Sequence, residues 1–152
     1  MKVEFVDMQQ TDNPLNGTLM VRAPELVNLL ESLRNREPFG LELVGENDMT
    51  LTICLAETYG TVQYAAKTGE PPYLLAVAPG VPPLPRRGVV SMHSLALQTD
   101  SERGVKSPEF LVGGTATPFP TRYCLPYELV RDIAVYFLEC GEREPGVMWE
   151  SI

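Results

Sequence analysis

Residues 39–66 read FGLELVGENDMTLTICLAETYGTVQYAA, and the fold class turns on this stretch. Its apolar side chains recur at every second position: Leu41 and Leu43, then Met49, Leu51 and Ile53, then Val62, Tyr64 and Ala66. That period belongs to strands with one buried face, because successive side chains of a strand point to opposite sides of the sheet. Gly45-Glu46-Asn47-Asp48 and Glu57-Thr58-Tyr59-Gly60 break the alternation with turn chemistry, so a three-stranded antiparallel meander is expected.

On the N-terminal side, Val3 and Phe5, then Thr18 to Val21, are short apolar or alternating segments separated by Asp12-Asn13-Pro14 and Asn16-Gly17, which read as one or two opening strands. Leu26, Leu29, Leu30 and Leu33 fall at i, i+3, i+4 and i+7, a helical stripe expected over about residues 24–36. Pro24 suits its start, Arg34 and Arg36 suit its close, and Pro38 prevents its continuation.

On the C-terminal side, residues 71–88 hold six prolines and read as loop or sheet edge apart from Tyr73 to Val77. Pro82, Pro85 and Arg87 match a PxxP spacing, although a stiff connection accounts for them more simply. Weak strand signals follow at Val89 to Leu97 and at Glu109 to Val112, with a polar, turn-like stretch from Asp100 to Lys106 between them and Gly113-Gly114 as a closing turn. The clearest helix spans about 126–140, with Pro126 first, the stripe Val130, Ile133, Ala134 and Phe137, and Gly141 as a left-handed cap. Val147-Met148-Trp149-Glu150 reads as a short terminal strand anchored by Trp149. Strands, helix, meander, helix and strand without βαβ alternation give an α+β fold with a largely antiparallel sheet, expected to form one domain over residues 1–152.

The chain has 152 residues, 44% of them hydrophobic, and carries 20 acidic against 12 basic side chains for a net charge of −8. Such a balance disfavours direct contact with nucleic acid, whose phosphates reward clustered Lys and Arg, and favours a cationic partner. Residues 37–73 hold a net −5 and residues 128–152 a net −4, while the segment between them is +2. No apolar run reaches the ~18 residues of a membrane span, and the opening residues lack a signal-peptide layout, so a cytoplasmic protein is expected. Cys54, Cys124 and Cys140 lack CxxC spacing and read as free thiols, mainly small buried hydrophobes.

Catalytic motifs are missing from the sequence. His93 is the only histidine and has no acid at HxE spacing; there is no PCxxC, no GxSxG elbow and no phosphate-cradling glycine loop around Gly113-Gly114-Thr115. Neither catalysis nor a metal or cofactor is expected. The chain reads as a binding module.

Leu125 to Val130, Val135 to Arg143 and Val147 to Glu150 together form a proline-led helix with an aromatic near its close, a glycine stop, and a short strand carrying tryptophan followed by an acid. With Pro126, Glu128, Phe137, Gly141, Trp149 and Glu150 in those places, this ending resembles the Imm-one family of immunity proteins of bacterial polymorphic toxin systems. The resemblance implies a protein that binds a cognate toxin and occludes its active site, often that of a nucleic-acid deaminase. An acidic blocker suits an enzyme that grips phosphates with basic side chains. The acids and the aromatic at the meander turns, Glu46, Asp48, Glu57 and Tyr59, are then the expected toxin contacts, with Glu142, Glu144 and Glu150 as a second acidic segment. Pro126, Phe137, Gly141 and Trp149 are expected to hold the scaffold. A secretion adaptor or effector chaperone is the rival reading, separable by gene neighbourhood.

Overall fold

The computed structural model describes residues 1–36, 38–84 and 91–152. Among these, the elements run β1 (Val3–Asp7), β2 (Leu19–Met20), α1 (Ala23–Leu33), β3 (Phe39–Gly45), β4 (Met49–Leu55), β5 (Tyr59–Ala66) and β6 (Leu74–Val77). They continue with α2 (Met92–Glu102), β7 (Glu109–Val112), β8 (Thr115–Pro118), a 3-10 turn (Thr121–Tyr123), β9 (Leu125–Pro126), α3 (Tyr127–Cys140) and β10 (Met148–Ser151). The fold is α+β. One sheet has the order β10-β6-β5-β4-β3-β1-β2, with β7 and β8 joined to β3 and β9 joined to β5. The pairings are antiparallel except the bridge from β3 to β7 at Phe39 and Leu111.

The period-two stretch forms the expected meander, with Leu41 opposite Ile53 and Leu43 opposite Leu51, then Ile53 opposite Val62 and Leu51 opposite Tyr64. These side chains share one face of the sheet. Against it lie Leu26, Leu30 and Leu33 of α1 and Val130, Ile133, Ala134 and Phe137 of α3, forming the main core. Burial of these stripes drives both helices onto the sheet. Helix α1 starts one residue before Pro24, where Glu25 Oε1 accepts the Arg22 N–H at 3.1 Å, and closes at Leu33, so Arg36 lies beyond it. Helix α3 begins at Tyr127, because Pro126 is its cap and also pairs with Tyr59.

The opposite face is covered at two places. Leu75, Val77, Ala96 and Tyr123 form one cluster, and Cys54, Ala56 and Phe110 form another. A strand is expected over 89–97 and a polar turn over 100–106, yet Met92–Glu102 is helical, capped by the Ser91 hydroxyl, which accepts the Ser94 N–H at 3.2 Å. The stripe was hidden because its inward residues are Leu95, Ala96 and the buried carboxylate Asp100. Asp100 is fully used: it accepts the Ser107 hydroxyl at 2.7 Å, the Thr121 N–H at 2.8 Å and the Thr121 hydroxyl. Pro85 and Arg87 of the PxxP spacing, and Val89 and Val90, lie outside the described residues.

The three thiols are free and differ in burial. Cys54 is buried and Cys124 half-buried, whereas Cys140 departs from the reading as a small buried hydrophobe and is exposed at the end of α3. Burial pushes the Cys54 thiol up to about 11. His93 sits in α2, its ring edge-on to Phe119 at 6.2 Å, and burial lowers its pKa. Among the described residues no group of three or more His, Cys, Asp or Glu side chains is placed to hold a metal ion, and no helix is long and apolar enough to cross a membrane.

Candidate functional site

The β3–β4 turn and the end of α3 are fastened together. Gly141 has φ +73°, so the chain leaves the helix in a left-handed turn that exposes its carbonyl. Asn47 Nδ2 donates to the Gly141 oxygen at 2.7 Å, and the Tyr64 hydroxyl donates to the same oxygen at 3.3 Å. A Cβ on Gly141 would stand 2.6 Å from Asn47 Nδ2, so a side chain there clashes with the fastening as well as straining the backbone.

This joint brings Glu46 and Asp48, on either side of Asn47, to the same end of the molecule as Glu142 and Glu144. Glu46 accepts the Lys2 backbone N–H, and Asp48 takes a left-handed φ of 61°, a conformation tolerated best by Gly, Asn and Asp. Glu46, Asp48 and Glu142 are exposed and Glu144 is half-buried. Burial first, and then the Glu142 charge, raise the Tyr64 phenol above its ordinary value. Arg143 turns its guanidinium over the Tyr64 ring, 5.8 Å from the centroid.

Other expected contacts lie elsewhere. Glu57 occupies the β4–β5 turn, at the far end of the seven-residue β4, ~20 Å from the β3–β4 turn at 3.3 Å per residue. There its carbonyl accepts Arg34 Nε at 2.8 Å, while the Arg34 guanidinium covers the Tyr127 ring at 3.7 Å. Tyr59 is half-buried, its ring edge-on to Phe110 at 5.8 Å. Glu150 faces away from Trp149, since neighbours in a strand take opposite sides. Its carboxylate pairs with Arg122 at 2.9 Å and accepts the Tyr123 hydroxyl, so it is separated from Glu142 and Glu144 and committed to internal bonds.

Trp149 lies on the helix side of the sheet, half-buried, edge-on to Tyr64 at 6.3 Å, and its indole N–H donates to the Glu144 carbonyl at 3.2 Å. That bond ties β10 to the loop after α3. Phe137 is fully buried and edge-on to Tyr64 at 6.2 Å. The aromatic, the glycine stop and the tryptophan strand thus meet around Tyr64 and the Gly141 carbonyl, which gives the C-terminal pattern its structural meaning. The sequence model of the immunity protein Imm1 family matches residues 23–151. The chain belongs to the Imm1 family of immunity proteins. No curated protein and no solved structure matches it. Membership in Imm1 supports a role as an immunity protein, with a cognate toxin as its partner, and such proteins generally act by binding and not by catalysis.

One surface of this Imm1 chain has no counterpart among the expectations from sequence. Leu129, Asp132, Val135, Tyr136 and Glu139 on the outer side of α3, together with Glu144, line a groove of about 360 Å³. Their spacing along the helix was legible, but Glu144 joins them only through the fold.

Proposed function

We propose that this Imm1 protein neutralises a cationic, nucleic-acid-acting toxin domain of deaminase type by covering its active site with its acidic surface. The observation that carries the reading is the convergence of Glu46, Asp48, Glu142 and Glu144 at the joint between the β3–β4 turn and α3. An enzyme that holds an anionic strand presents basic side chains, and carboxylates fixed on a rigid scaffold compete for them while steering the encounter. The encounter belongs in the cytoplasm, where such a toxin finds its substrate.

The test is association kinetics between this chain and a catalytically disabled form of its cognate toxin domain, over a salt series. The variant combines Glu46→Lys, Asp48→Asn and Glu142→Lys; asparagine is chosen at Asp48 because it tolerates the left-handed backbone. Its association rate is expected to fall about 10- to 100-fold at low ionic strength and to approach the wild-type rate at high salt. Glu57→Lys, at the other end of β4, is expected to have a smaller effect. Equal rates for the triple variant and wild type at every salt concentration would exclude this end as the steering surface.

A further inference from the structure

We infer that the groove along the outer side of α3 is the seat of one arginine side chain from the toxin, an anchor additional to the acidic joint; this rests on the toxin-binding reading above. Three observations define the groove. Its floor is apolar and aromatic: Leu129 and Val135 pack on the main core from the outside, and Tyr136 lies half-buried beside them. Its rim carries Asp132, Glu139 and Glu144, and among the described residues no basic one lines it. Beside it, Arg131 Nη2 stands 3.5 Å from Asp132 Oδ1 in a solvent-exposed contact between sequence neighbours. Such exposed pairs are weakly held and open readily to a competing cation.

The far wall is built. Glu144 is held by its backbone, because its carbonyl accepts the Trp149 indole N–H at 3.2 Å and the Val147 N–H at 3.4 Å. Its carboxylate lies over Gly146, with oxygens 3.1 and 3.3 Å from where a Cβ on that glycine would stand. The Trp149 strand therefore positions an acid against α3. The Cys140 thiol first, then burial, and then the charges of Glu144 and Glu142 raise the Tyr136 phenol above its ordinary value.

An apolar floor with one aromatic ring and an anionic rim matches arginine specifically. Its alkyl stem covers Leu129 and Val135, while its planar guanidinium stacks on Tyr136 and forks toward carboxylates, which a compact ammonium does less well. A groove of this size, at the low end for ligand sites, suits a single side chain better than a drug-sized molecule.

The experiment is a double-mutant cycle read as dissociation rates, again with the disabled cognate toxin domain. On this chain the variants are Tyr136→Ala and the pair Asp132→Asn with Glu139→Gln. Asp12→Asn with Glu109→Gln serves as a control of equal charge change at exposed sites outside the groove. On the toxin, surface arginines are changed to alanine one at a time. Tyr136→Ala and the Asp132/Glu139 pair are each expected to speed dissociation about tenfold or more, with the control unchanged. One toxin arginine should lose most of its own effect in the Tyr136→Ala background. Groove variants that dissociate at the wild-type rate from an intact complex would overturn the groove and leave toxin binding standing. A wild-type chain that forms no complex would overturn both.

Discussion

Replacing Glu150 by alanine is expected to destabilise the fold by about 3–5 kcal/mol, although only Ser151 and Ile152 follow it in the sequence. Arg122 is only 6% exposed and its Nη2 is paired with Glu150 Oε2 at 2.9 Å. Among the described residues its other bond is from Nη1 to the Pro82 carbonyl at 2.9 Å, and its Nε has no partner. Removing Glu150 leaves a buried guanidinium with one acceptor among the described residues and takes away the acceptor of the Tyr123 hydroxyl. The cost is that of an uncompensated buried charge, which exceeds whatever the intact pair contributes over an apolar substitute. Glu150→Gln keeps the shape and an acceptor and should cost less than the alanine. Urea unfolding at constant slope measures both. A loss below about 1 kcal/mol for the alanine would mean that Arg122 reaches water without its partner.

Phe137→Ala is expected to cost a similar amount, about 3–5 kcal/mol, against a total stability of about 5–15 kcal/mol for ordinary domains. The ring is fully buried on α3, edge-on to Tyr64, and its Cζ lies 3.0 Å from where a Cβ on Gly45 would stand, so backbone and side chains surround it closely. Little can collapse into the space it leaves. Trp149→Ala should cost less, about 2–3 kcal/mol, because that ring is half-buried at the strand on the sheet edge. Thermal melting orders the two variants. If Trp149→Ala proved the more damaging, the edge strand and not the helix stripe would be closing the core.

The meander and α3 were legible because each has one buried face and a period that matches its geometry. Helix α2 was not, because the polar Asp100 occupies an inward position and satisfies three donors that lie in other segments. Strands β8 and β9 escaped notice for a different reason. Thr115–Pro118 is mostly exposed and does not alternate, and Leu125–Pro126 is two residues long.

The acids of the site were visible as two separate segments, yet their grouping depends on tertiary closure. Glu46 and Asp48 meet Glu142 through the Asn47 bond to Gly141, 94 residues away, a contact with no local signature. Glu57 parts from them because consecutive turns of a meander lie at opposite ends of its strands. Glu150 leaves the acidic segment because it alternates with Trp149, and its partner Arg122 is 28 residues away. Charge composition alone located the acidic segments without saying which of them face the same way.

Protection by stoichiometric occlusion is tested by titrating this Imm1 chain into its active cognate toxin domain while the toxin's reaction is followed. Activity is predicted to fall in proportion to added protein and to vanish at one equivalent, with a 1:1 complex recovered by size-exclusion chromatography and both chains unchanged in mass. Inactivation by far less than one equivalent, or a toxin that keeps its activity inside the complex, would contradict it.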